Sequence, residues 1–135
     1  LESSHDMGKR VNDYIVDWRK DRAAQNATAS TFAGYNRDSF LIDSACPRFG
    51  SGEAKGIINE SVRGDDLYLL VDVCNYSLTY TVCGHTNHMS PDDHYQDLKR
   101  IIAAVGGKAR RITVIMPFLY ESRQHRRTAQ WHCTN

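Results

Sequence analysis

The side chains best able to do chemistry cluster in residues 118–127 (FLYESRQHRR), which set Arg123, Gln124, His125, Arg126 and Arg127 in five consecutive positions. Guanidinium forks bind phosphate oxygens bidentately, and Gln adds an amide donor and acceptor, so one reading is a phosphorylated ligand. A solvated basic loop is the other. A second constellation is Cys83-x-His85-x-x-His88, with Cys74 and His94 nearby. Zinc needs about four ligands in tetrahedral array. The spacing fits no pair-and-pair pattern, so exposed histidines and packed cysteines are the favoured reading and no metal ligand is assigned. A third stretch, residues 110–132, alternates Arg with Tyr120 and Trp131, as a single-strand nucleic-acid binder would. Its apolar centre is better explained as a strand, so nucleic acid is not the expected partner.

The elements that must position these residues follow from periodicity. Val11, Tyr14, Ile15 and Trp18 fall at i, i+3, i+4 and i+7, which predicts a helix over residues 7–24 with these side chains in the core. Residues 25–38 are small and polar, a linker. Residues 39–43 and 54–59 are candidate strands on either side of a turn at 47–52 that carries two glycines. The run LYLLVDV (67–73) has the continuous apolar character of a strand buried on both faces. Residues 75–89 show no clear period and read as an insertion or long loop. Ser90, Pro91 and Asp93 then form a capping-box start, Tyr95, Leu98, Ile101, Ile102 and Val105 an apolar face, and Gly106-Gly107 a stop. With RITVIM (111–116) as the next strand, 67–73, 91–105 and 111–116 make a βαβ unit. The expected class is α/β, an open and mainly parallel sheet with flanking helices, whose ligands bind beyond the carboxyl ends of the strands.

Composition sets the outer bounds. The 135 residues allow one domain, and the hydrophobic fraction of 41 % with 24 % charged residues excludes disorder and coiled coil. No apolar run exceeds residues 67–71, so no membrane-spanning helix is expected. The first residues have neither a basic leader nor an apolar core. Cys46, Cys74, Cys83 and Cys133 contain no C-x-x-C pair, which suits reduced thiols in the cytoplasm. The formal net charge is only +1, yet six basic residues face one acid from Lys108 onward. That segment attracts anions on an otherwise balanced body.

Three segments in order carry a resemblance. Arg48-Phe49-Gly50-Ser51-Gly52-Glu53 leads into Ile57-Ile58-Asn59-Glu60-Ser61-Val62-Arg63-Gly64 and then LYLLVDV; far downstream, RITVIMP leads into Tyr120-Glu121-Ser122-Arg123-Gln124-His125-Arg126. This order resembles the amino-terminal half of ribose-phosphate pyrophosphokinase, whose motifs read like R-F-S-D-G-E, I-N-E-S-V-R-G and Y-A-R-Q-D-R. The stretch between the motifs resembles a divergent bacterial branch. The resemblance spans residues 39–127 as a phosphoribosyltransferase-like domain, with 1–38 as helix and linker and 128–135 unmatched.

The family transfers the β,γ-diphosphate of Mg·ATP to the 1-hydroxyl of ribose 5-phosphate and releases AMP. The resemblance implies that Phe49, Ser51, Gly52 and Glu53 contact adenine, from a neighbouring subunit, and that Arg123 and Gln124 hold the nucleotide from their own. It further implies ATP and Mg2+ as ligands and a homo-oligomer. Ser51 and His125 stand where the family has Asp, and Gly56-Ile57-Ile58 replaces a V-R-I whose Arg serves control by ADP, so that control is not expected. The family's magnesium-binding His motif, basic catalytic loop and D-D-x-x-x-T-G-G-T loop are not found in these residues. The chain alone is therefore expected to lack synthetase activity, with no catalytic residue assigned, and to self-associate through uncovered apolar surface. The alternatives are a non-catalytic partner of a synthetase and the single-strand binder described above.

Overall fold

The computed structural model describes residues 1–25 and 34–123. In chain order the elements are a 3-10 turn (Glu2–Ser4), α1 (His5–Gln25), β1 (Ser44–Ala45), β2 (Ile57–Ile58), β3 (Asp66–Leu70), β4 (Thr79–Val82), β5 (His85–His88), α2 (Pro91–Val105) and β6 (Arg111–Ile115). The βαβ unit forms as the sequence predicts. β3 and β6 pair in parallel from Asp66↔Arg111 to Leu70↔Ile115, with α2 as the crossover between them. The α/β class is realised as a mixed arrangement, because β1–β2 and β4–β5 each pair antiparallel.

α2 begins and ends where its punctuation dictates. Ser90 Oγ accepts from the Asp93 N–H at 3.2 Å, and the Asp93 carboxylate accepts from the Ser90 N–H at 2.8 Å, which completes the capping box. Gly106 closes the helix at φ +56, a left-handed conformation that glycine adopts without strain. The buried face is Leu98, Ile101 and Val105, joined by His94 and Asp97, while Ile102 is exposed rather than part of the predicted apolar face. The core is this face packed on Leu67, Leu69, Val71, Val73 and Val62. Odd positions of LYLLVDV therefore face α2 while Tyr68 points outward, which corrects the expectation of burial on both faces. A strand covered on one side alternates.

Two further expectations shift. The strand placed at 39–43 lies instead at Ser44–Ala45, and its pairs Ser44↔Ile58 and Ala45↔Ile57 share one register with the bridge Arg48↔Ala54. Residues 44–58 thus form one hairpin whose tip is Phe49 to Glu53. Residues 75–89 are not a structureless loop: Thr79–Val82 and His85–His88 pair around Cys83-Gly84. Both turn residues have positive φ, +48 and +81, as a tight two-residue hairpin turn demands.

α1 exists with nearly the predicted bounds, yet its predicted core face is mostly open, with only Ile15 half-buried. Tyr14 is 72 % exposed, and Val11 and Trp18 are exposed as well. The buried residues are Asn12 and Val16. Asn12 Oδ1 accepts from the Phe40 N–H at 2.7 Å, and Arg19 lies over the Phe40 and Tyr35 rings at 4.3 and 4.9 Å. Polar and cation–π contacts to the 35–41 segment hold α1 where a buried stripe was expected.

Candidate functional site

The tip of the 44–58 hairpin is closed by its own backbone. The Phe49 N–H donates to Glu53 O at 2.7 Å, the Gly52 N–H to Phe49 O at 2.9 Å, and the Lys55 N–H to Pro47 O at 3.1 Å. Gly52 sits at φ +89, which a side chain would strain. Phe49 is held outward with 55 % of its surface exposed. Ser51 Oγ donates to a Glu53 carboxylate oxygen at 3.1 Å. Phe49, Ser51, Gly52 and Glu53, four residues singled out in the sequence, are therefore brought together on one small turn. A ring and a carboxylate stand side by side there.

Arg48 anchors that turn from behind. Its Nη2 donates to Asp97 at 2.9 Å, and Arg100 Nη1 donates to the other carboxylate oxygen at 2.7 Å. The Arg48 guanidinium also lies 4.8 Å from the Tyr80 ring centroid. The Arg48 and Asp97 side chains are each only 10 % exposed, so this carboxylate is a buried charge neutralised by its partners. Sequence reasoning missed the pair, since residues 49 positions apart carry no local signal. Cys46 faces the same helix, its thiol 3.9 Å from Asp97 O. Burial, and then the Asp97 charge, push that thiol up to about 11.

A cleft of about 380 Å³ opens among the two hairpins, α2 and the first three residues, lined by Glu2, Arg48, Tyr80, His94, Asp97 and Ile101 among others. Three of its charged or polar side chains are already engaged: Arg48 with Asp97, and His94 Nε2 with Asn75 O at 2.7 Å. The exposed Phe49 ring and the exposed Glu53 carboxylate, which accepts from Ser51, are at the turn instead.

The second predicted site segment is only partly described. Arg123 is exposed, just after Tyr120, whose ring stacks on Tyr95 at 4.7 Å and whose hydroxyl donates to Asp92. The loop is thereby tied to the first turns of α2, beyond the carboxyl ends of β3 and β6. Gln124 and the basic residues after it lie outside the described residues. No hydrogen bond or ion pair among the described residues joins Arg123 to the Phe49–Glu53 turn.

The histidine–cysteine pattern does not converge. His85 and His88 are three apart on β5 and so point to opposite faces. Cys83 Sγ donates to Gly50 O at 3.8 Å and His88 Nδ1 pairs with Tyr76 O at 2.9 Å. Among the described residues no three His, Cys, Asp or Glu side chains stand together as a metal-binding group. No helix among them is long and apolar enough to cross a membrane.

Fold and site define an α/β domain that holds a ring-and-carboxylate turn at the edge of a parallel-strand core. The model of one family, the N-terminal domain of ribose phosphate pyrophosphokinase, matches residues 1–134, and the chain belongs to that family. The match takes in α1 and the residues after Arg127 as well as the motif-bearing centre. No curated protein and no solved structure gives a significant match.

Proposed function

We propose that this chain supplies nucleotide contacts of a ribose-phosphate pyrophosphokinase, with the Phe49–Glu53 turn as the adenine platform. The observation that carries this reading is the exposed Phe49 ring on a turn fastened to Glu53 by its own N–H. An aromatic face packs on a purine, and the Glu53 carboxylate, steadied by Ser51, accepts from the exocyclic amine. Arg123, with Gln124 beyond it, offsets phosphate charge. Mg2+ would travel with the triphosphate, and we assign it no protein ligand in this chain. In the complete enzyme the substrates are ATP and ribose 5-phosphate: the acceptor's 1-hydroxyl attacks the β-phosphorus, the bond to the α-phosphate oxygen breaks, and AMP leaves. Such a transfer depends on positioning and on electrostatic stabilisation, so a platform that orients the adenine end contributes directly.

Assembly belongs to the same reading. The turn and Arg123 would serve nucleotides of different copies in a homo-oligomer, consistent with the exposed apolar side chains Val114, Ile115, Phe118 and Leu119 on and after β6.

Calorimetric titration of the chain with Mg·ATP tests the proposal. Saturable binding that weakens about tenfold in Phe49→Ala is expected, since stacking on an aromatic is worth about 1–3 kcal/mol per base. Arg123→Ala should weaken it as well. Absence of saturable binding, or wild-type affinity in both variants, overturns the proposal.

A further inference from the structure

The Phe49–Glu53 turn carries Gly50 and Gly52, which offer no side chains to hold it, and a glycine-rich tip loses the most conformational freedom on ordering. Backbone bonds within the turn close it, and further support comes from outside it. Three contacts reach the turn or its flanking anchor Arg48 from the β4–β5 hairpin. The Tyr80 ring lies under the Arg48 guanidinium, and Val82 Cγ2 would be 3.4 Å from a Cβ on Gly52. Third, the Cys83 thiol donates to Gly50 O. Tyr80 and Val82 share one face of β4 and are half-buried, whereas Thr79 and Thr81 on the other face are exposed. Cys83, moreover, sits at φ +48, a conformation that favours Gly or Asn, and the contact to Gly50 comes from that residue.

We infer that the β4–β5 hairpin is the positioning element of the nucleotide turn, with Tyr80, Val82 and Cys83 as positioning residues that pre-order Phe49 and Glu53 for the ligand. The inference rests on the reading of that turn as the adenine platform. Pre-ordering raises affinity because binding then no longer has to immobilise the loop. Without the hairpin contacts the turn keeps its residues but not its single geometry.

The test is the double variant Val82→Ala/Cys83→Asn. Asn-Gly is the favoured pair for this two-residue turn, so the hairpin is retained while both tip contacts on the turn change. Residue-resolved hydrogen exchange should show the Phe49 and Gly52 amides exchanging about tenfold faster, with Leu98 and Ile101 in α2 unchanged, because local opening is read separately from global unfolding. The Kd for Mg·ATP should rise about fivefold, the loss expected when a pre-ordered loop must be ordered at binding. Tyr80→Leu should act in the same direction, and Tyr80→Phe, which keeps a ring under Arg48, should behave as wild type. Unchanged exchange at Phe49 and Gly52 overturns the inference. So does faster exchange with unaltered Mg·ATP affinity in a chain where Phe49→Ala does weaken binding. If Phe49→Ala leaves Mg·ATP binding intact, the platform reading fails by itself, and the exchange rates still decide whether the hairpin orders the turn.

Discussion

α2 and α1 both carry apolar residues at helical spacing; α2 buries most of its stripe, and α1 leaves most of its own open. Leu98 and Ile101 are each 3 % exposed, while Val11, Tyr14 and Trp18 of α1 stand open. The chain itself explains the difference. α2 is spliced between two strands that pair with each other, so its apolar face has nowhere to lie but on them. α1 is followed by a polar segment, and its polar contacts to Tyr35 and Phe40 run through Asn12 and Arg19. Periodicity reveals that a helix has a face. Connectivity decides whether anything covers it.

Single side-chain truncations on the two helices should therefore differ most. Ile101→Ala should cost about 2–5 kcal/mol, the range for a large-to-small change in a packed core. Tyr14→Ala should stay within about 0.5 kcal/mol, as exposed substitutions do. Chemical denaturation of both variants measures this, and equal losses would mean that α1 is covered in solution.

A close approach gives the next effect. A Cβ on Gly56 would lie 2.4 Å from the Arg100 carbonyl oxygen, so the second strand of the 44–58 hairpin meets the α2 backbone directly. Gly56→Ala should destabilise by about 1–3 kcal/mol through overpacking, with a lower Tm as the readout. A neutral result would show that the hairpin can move away from α2. Smaller still, Ser90→Ala removes half of the capping box and should cost about 1 kcal/mol in denaturant melts.

The smallest effect concerns Cys46, whose thiol faces α2. Its pKa is raised in the folded chain from 9.0 to about 11, so the neutral thiol favours folding below pH 9.0 and that contribution fades as pH rises toward 11. At pH 8, iodoacetamide should label the exposed Cys74 and Cys83 well before Cys46. Equal labelling rates would mean that the thiol is not shielded.

How much was legible in the sequence follows the same physics. α2 and its caps were readable to the residue because each signal is local. The parallel pair followed from the helix between two apolar runs. The β4–β5 hairpin was missed because Cys83 is an atypical residue for a positive-φ turn, although Gly84 between two four-residue stretches rich in Thr was a usable cue. At the site, the turn was legible through its motif. What holds it was not, because Asp97, Tyr80 and Val82 reach Arg48 and Gly52 across about 30 to 50 residues of chain. Long-range pairings leave no periodic trace.

The central claim is that an ordered turn at the edge of the α2 core, and not the open face of α1, receives the nucleotide. Residue-resolved NMR of the chain titrated with Mg·ATP tests it directly. Saturable shifts are expected at Phe49, Ser51, Gly52, Glu53 and Arg123, with Val11, Tyr14 and Trp18 unmoved. Shifts confined to α1, or none at the turn at saturating nucleotide, would contradict it.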